Sequence, residues 1–177
     1  MNQQLEQQDA ELCLKIKYAG SLGGLIALTR GEADLAGCHL YDEETGDYNV
    51  PFIRKLLPGR RIALITLTYR KLGLIICKNN PKQIMGLSDL GRKDLQFINR
   101  QPGAGTRVWL DMQLQNLRTS PQDILGYDDY VLTHSEAASA VASKKADLAL
   151  GIESAALAYN LDFIPLTTER YEFVVPQ

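Results

Sequence analysis

Apolar residues recur along this chain in two rhythms that trade places repeatedly. A polar stretch over 2–11 favours a short helix, after which Leu14, Ile16 and Tyr18 alternate with Lys15 and Lys17, the period of a half-buried strand. Leu22, Leu25, Ile26 and Leu28 follow at helical spacing, and Gly31 stands where a helix C-cap belongs. A strand is predicted from Leu35 to His39, a loop from Tyr41 to Val50, and a short helix from Pro51 to the Pro58-Gly59 break. Two β-rich runs come next, Ile62 to Tyr69 and Leu72 to Lys78, followed by a turn at Asn79-Asn80-Pro81 and a short helix at Ser88-Asp89-Leu90. Leu95 to Asn99 reads as a strand, Arg100 to Gly105 as a loop, and Thr106 to Leu117 as a helix. A short helical stretch past Ser120-Pro121, a helix from Ser135 to Ser143, a strand from Asp147 to Gly151, a helix from Glu153 to Tyr159 and two closing strands complete the chain. Strands alternating with helices predict parallel βαβ units and an α/β fold with helices on both sheet faces.

Composition narrows the classes of function. The chain has 177 residues, 45% of them apolar, and a net charge of −2, so it buries a core without staples and offers no global attraction to nucleic acid or to an anionic membrane. Any anion it binds is held by local geometry. The basic pairs Arg54-Lys55, Arg60-Arg61, Arg70-Lys71, Arg92-Lys93 and Lys144-Lys145 read as solvated surface. Cys13, Cys38 and Cys77 include no CxxC pair and read as reduced core residues; with only His39 and His134 to join them, no metal site is expected. The polar, acidic N-terminus lacks the pattern of a secretory signal, and no window is apolar enough for a membrane helix, so a cytoplasmic location is expected. No nucleophile elbow, HExxH or Ser/His/Asp set is present, and no catalytic residue is assigned.

The strongest local signal is Asn99-Arg100-Gln101-Pro102-Gly103-Ala104-Gly105-Thr106-Arg107, a glycine loop that leaves a strand and opens a helix. Gly103 and Gly105 let backbone approach a ligand, and the free amides of the helix opening favour an anion. Thr106 either donates its hydroxyl there or simply caps the helix, and Arg107 either adds a charged bond or points away. The loop is neither a Walker A sequence nor GxGxxG. Gly20-Ser21-Leu22 is a second strand-to-helix junction, where Ser21 caps the helix or binds an anion, and Thr133-His134-Ser135 opens a third helix. His39 and the loop Thr45 to Asn49 either line a cleft or cap one lobe. Three helix openings converging on one cleft would hold a tetrahedral oxyanion with neutral donors. Trp109 and Leu110 read as core. One internal echo, Ala27 to Ala36 against Ala140 to Ala149, reads helix, turn, Ala-Asp-Leu-Ala strand both times. It reflects either the general preferences of βαβ units or two similar lobes facing each other.

The segments GSLGGLIALTRGEADLAGCHLYDEETGDYN, YRKLGLIICKNNP, FINRQPGAGTR, THSEAASAVASKKADLALG and LDFIPLTTERYEF together resemble the periplasmic-binding-protein-like domain related to molybdate-binding proteins and to the effector domains of LysR-type regulators. That domain is often joined to a helix-turn-helix segment or to a molybdopterin molybdotransferase. The resemblance implies a type II binding-protein fold, two three-layer α/β lobes around a cleft, with 1–75 and 151–177 forming one lobe and 76–150 the other. It implies crossings near Leu74–Lys78 and Ala149–Ile152. By that pattern Gly20, Ser21 and Leu22 serve the site from the first lobe. Gly103, Ala104, Gly105, Thr106 and Arg107 serve it from the second, and Thr133, His134 and Ser135 complete the candidate set.

The implied function is non-catalytic: a sensor closing around molybdate or tungstate, tied to transcriptional regulation or to molybdenum cofactor metabolism. Two alternatives stay open, an effector domain for an organic carboxylate or a molybdopterin-related metabolite, and an interaction domain without ligand. No cofactor, membrane contact or direct nucleic-acid contact by this chain is expected. Such folds begin with a strand, a ligand-binding loop and a helix before the GSLGGL segment, whereas only a short polar stretch precedes it here. Either part of the first lobe's cradle is therefore absent or the chain is a fragment, and a missing strand would leave an exposed sheet edge able to pair two subunits as a homodimer.

Overall fold

The computed structural model describes residues 14–177. The helix expected over 2–11 and the residue Cys13 lie outside them. The described elements run α1 (Gly20–Arg30), β1 (Ala36–Cys38), β2 (Tyr41–Asp42), β3 (Asp47–Tyr48), α2 (Val50–Leu56), β4 (Ile62–Ile76), β5 (Phe97–Arg100), α3 (Gly105–Asn116), β6 (Tyr130–Val131), α4 (His134–Ala142), β7 (Leu148–Ile152), α5 (Glu153–Ala158) and β8 (Asp162–Pro176), with 3-10 turns at Leu87–Gly91 and Pro121–Asp123. One six-stranded sheet has the order β1-β8-β4-β7-β5-β6, and β2 and β3 form a separate hairpin.

Two sequence expectations change. Residues 14–19 form no strand: Ile16 and Tyr18 are exposed, because alternation makes a strand only where a neighbouring strand completes the ladder. The sheet is mixed, with only β5–β6 and β5–β7 parallel while β4 and β8 pair antiparallel along their whole lengths. Each of these two strands was read as two shorter ones. The polar interval Tyr69-Arg70-Lys71 looks like a break, yet it is continuous strand whose surroundings change.

That change defines the two halves of the molecule. In the first, α1, α2 and β1 enclose Leu25, Leu28, Cys38, Leu40 and Ile53 against Val174, with Ile62 and Leu64 alongside. In the second, the period-2 alternation of β4 and β7 feeds two cores: Leu72, Leu74, Ile76, Leu148 and Leu150 pack with Trp109, Leu110 and Leu114 of α3, while Ile75 and Ala149 pack with α4 and α5. Helices thus cover both faces of the second half. Leu74–Ile76 and Ala149–Leu150 are buried inside these second-half cores, whereas the register of β4 on β8 shifts at Thr66/Thr68 and Leu72/Gly73. The architecture is two-lobed α/β, of the type II binding-protein kind.

A buried polar cluster fixes the hairpin to the first half. Asn49, at φ 62, accepts from the Leu40 amide through its side-chain oxygen at 2.8 Å and donates through its side-chain nitrogen to Glu172 Oε2 at 2.8 Å. Thr66 and Arg170 hold the other Glu172 oxygen, and Arg170 also reaches Asp47. Beside this carboxylate, burial and then the Glu172 charge push the Cys38 thiol up to about 12, so it is an inert core thiol. Among the described residues, no helix is long and apolar enough to cross a membrane, and no group of three His, Cys, Asp or Glu side chains is placed to hold a metal ion.

Candidate functional site

Two loops from opposite halves meet. The Leu22 amide at the start of α1 donates to Gly103 O at 3.0 Å, and Gln101 Nε2 donates to Tyr18 O at 3.2 Å. Gly20, at φ 72, passes so close to the glycine loop that a Cβ there would sit 2.9 Å from Ala104 N. Gly105 likewise faces His39, where a Cβ would meet the imidazole at 2.8 Å. The Ser21 hydroxyl is buried and accepts from His39 N at 3.3 Å. The helix openings that carry Ser21 and Thr106 are therefore brought together around His39.

Charged side chains gather at the same place. Arg70 and Glu169 are register partners across β4 and β8 and form an ion pair, with the Arg70 guanidinium 4.3 Å from the Tyr171 ring centroid. His39 Nδ1 lies 2.8 Å from the other Glu169 oxygen, close in distance though outside hydrogen-bond alignment. Burial works to raise the Glu169 carboxyl, but His39 and Arg70 outweigh it and hold it below its ordinary value. Tyr171 is moved up, chiefly by burial.

Arg100 behaves differently. It closes β5, is only 7% exposed, and donates to His134 Nδ1 at 3.0 Å and to Leu132 O at 2.6 Å. Among the described residues, no carboxylate forms an ion pair with it. Burial draws its guanidinium down to about 10, helped by Arg70 and opposed by Glu169 and Glu136 acting at longer range. A guanidinium only donates, so His134 Nδ1 carries the lone pair and the ring proton sits on Nε2. Burial, then Arg100, His39 and Arg70, hold His134 well below the ordinary histidine value, which keeps it neutral. Thr106, which follows the Gly105 that faces His39, is 1% exposed; its hydroxyl finds no partner among the described residues, and neither do Nε of Arg70 and Nε of Arg100.

Not every residue of the expected set faces this group. The Arg107 guanidinium is turned to Asp111, Tyr127 O and the Tyr127 ring, 3.8 Å from its centroid, and serves packing. Thr133 caps α4 by accepting from Glu136 N, and Ser135 is exposed. Arg70 is not the solvated surface cation its Arg-Lys pairing suggested. Two other guanidiniums, Arg70 and Arg100, stand in this group in place of Arg107. Sequence reading left Arg70, Arg100, Glu169 and Tyr171 without roles; an opposite-charge pair between β4 and β8 was the available signal, but only the strand register reveals it.

This arrangement can present hydroxyl, amide and guanidinium donors to an anion between two lobes. A family model described as a PBP superfamily domain matches residues 2–177. The uncharacterized protein YvgK of Bacillus subtilis (strain 168) is 45% identical over 175 residues, 99% of this chain, and the chain spans 56% of that relative's length. Among solved structures, the AvGluR1 ligand-binding domain in complex with glutamate superimposes with a TM-score of 0.60 at 15% identity, over 99% of this chain and 69% of that one. An ABC-type phosphate transport receptor from Vibrio cholerae superimposes with a TM-score of 0.55 at 16% identity, over 98% and 80%. With its two halves joined by paired long strands and its loops meeting between them, the chain belongs to the PBP superfamily.

Proposed function

We propose that this chain is a non-catalytic ligand-binding domain for a small tetrahedral oxyanion held between its lobes. The observations that carry the reading are a buried guanidinium, Arg100, with no ion-pair partner among the described residues, and the buried Thr106 hydroxyl, which bonds none of them. Buried donors of this kind are costly unless a ligand satisfies them, and a negative ligand satisfies both. On this reading Gly20, Ser21 and Leu22 contribute from the first lobe, and Arg100, Gly103, Ala104, Gly105, Thr106 and His134 from the second. On the same reading, the register shifts of β4 on β8 between Thr66 and Gly73 support a division of the lobes within that stretch.

Molybdate or tungstate is the proposed ligand on the sequence resemblance, and phosphate is the comparison that the Vibrio cholerae receptor suggests. A place in molybdenum-linked regulation or cofactor metabolism is proposed on the same resemblance. Glu169 favours a second reading: a carboxylate beside guanidiniums suits a zwitterionic organic acid, and AvGluR1 was solved with glutamate. Titration calorimetry with molybdate, tungstate, phosphate, sulfate and glutamate separates these readings. Saturable heat with a tetraoxyanion and none with glutamate is expected; heat with glutamate alone selects the second reading, and silence with all five, together with no thermal shift, overturns both.

A further inference from the structure

The sheet of the first half ends on an open edge. From Leu72 onward β4 pairs with β7, but from Ile62 to Lys71 its only strand neighbour among the described residues is β8. The outer side of that stretch keeps a row of backbone N–H and C=O groups that no strand takes up. Its middle is apolar, with Ile65, Leu67 and Tyr69 exposed by 50%, 48% and 67%. Beside its beginning, Ile53 of α2, Leu57 just after it, and Ile62 and Leu64 of β4 line a groove of about 390 Å³ that includes Arg54 and Arg60 and no carboxylate.

Charge decides what fits this edge. Between Val50 and Lys71 the chain carries six basic residues and no Asp or Glu, although its net charge is −2. Lys71 is paired with Glu153 and Arg70 with Glu169, but Arg54, Lys55 and Arg61 have no ion pair among the described residues. In a second copy joined edge to edge, the facing stretch from Val50 to Lys71 holds no carboxylate to offer these three. Antiparallel pairing of two copies would also set Arg61 of one near Lys71 of the other, and like charges across strands destabilise the pairing.

We infer that the Ile62–Tyr69 edge accepts an extended segment of a partner protein in which apolar residues alternate and the ends carry carboxylates. Backbone bonds to β4 supply the affinity, the groove takes an apolar side chain, and the carboxylates meet Arg54, Lys55 and Arg61.

The experiment uses the full chain and a labelled synthetic peptide of alternating valine and threonine with two glutamates at each end. Fluorescence anisotropy is expected to show binding about tenfold tighter than for the same peptide ending in lysines, weakening as salt rises, together with slowed amide exchange between Leu64 and Tyr69. Leu67→Pro, which removes a backbone donor, is expected to abolish binding, and the exposed Arg61→Glu to reverse the preference; Arg61→Glu carries the test if the proline variant does not fold. Equal affinity for both peptides, unprotected amides on binding, or a concentration-dependent dimer that shields these same amides overturns the proposal.

Discussion

Arg100 Nη1 donates to His134 Nδ1 across 3.0 Å, so a residue that closes β5 fixes the tautomer of one that opens α4. Protonating His134 would put a donor against a donor beside Arg70 and Arg100, with Glu169 and His39 the other titratable groups near them. An unfolded chain takes up this proton near pH 6.5, whereas the folded chain resists it. The unfolded state thus binds more protons below that pH, and the stability His134 provides above about pH 6.5 is lost as pH falls. Urea unfolding is expected to show stability dropping by up to about 1.4 kcal/mol per pH unit just below this point. His134→Gln is expected to flatten the slope, and a slope unchanged by that substitution refutes the assignment.

Thr106→Val should separate binding from stability. The hydroxyl bonds nothing among the described residues, so the isosteric methyl removes an unsatisfied buried group and is expected to leave stability unchanged or raised by about 1 kcal/mol. A hydrogen bond to a charged ligand is worth about 1.5–3 kcal/mol, so oxyanion affinity is expected to fall roughly ten- to hundredfold. Calorimetry on a variant with an intact melting transition reads this directly. Full affinity in the valine variant removes Thr106 from the site.

Sequence patterns revealed elements more readily than the chemistry between them. The spacing of Leu22, Leu25 and Leu28 with Gly31 gave α1 nearly to its ends, and the strand-loop-helix syntax around Gly103 and Gly105 located the β5–α3 junction. Ile16 and Tyr18 misled because alternation describes a strand's own geometry and says nothing of a neighbour. The site was half legible for the same reason. Ser21 and Thr106 announce themselves at helix openings, whereas Arg70 and Glu169 acquire meaning only as partners across β4 and β8, a relation no local window contains. Arg107, next to the glycine loop in sequence, turns to Tyr127 because the third residue of α3 lies on the face packed against that ring.

Gly20 and Gly31 share a left-handed backbone, at φ 72 and φ 70, but not their surroundings. A Cβ at Gly31 meets nothing within 4 Å, so Gly31→Ala is expected to cost only the backbone strain, about 1 kcal/mol. At Gly20 the same atom strikes the backbone of Gly103 and Ala104, which cannot swing aside as a side chain would. Overpacking of this kind adds about 1–3 kcal/mol, and it also strains the Leu22–Gly103 bond between the lobes. Gly20→Ala is therefore expected to be the more destabilising and to raise the radius of gyration in X-ray scattering. Equal costs for the two variants would show that the loops do not meet in solution.

Glu169→Gln tests whether the buried charges hold the crossing strands together. The carboxylate serves Arg70 on one oxygen and approaches His39 on the other, and its replacement leaves a guanidinium stacked on Tyr171 without its acid. Removing one member of a buried pair costs about 3–5 kcal/mol, and the partial exposure of Arg70 favours the lower end, about 3 kcal/mol at pH 7. Because the folded carboxyl is held low, the contribution is present above the ordinary value of 4.5 and is lost as pH falls through its folded value. Glu153→Gln is the internal control: its pair with Lys71 spans 3.0 Å on the surface, where such pairs contribute within about 1 kcal/mol. Denaturation at pH 7 is expected to separate the two variants by about 2 kcal/mol or more, with the gap narrowing in acid as the wild-type carboxyl itself becomes protonated. A gap that stays constant down to pH 3 would mean that Glu169 acts by shape rather than by charge.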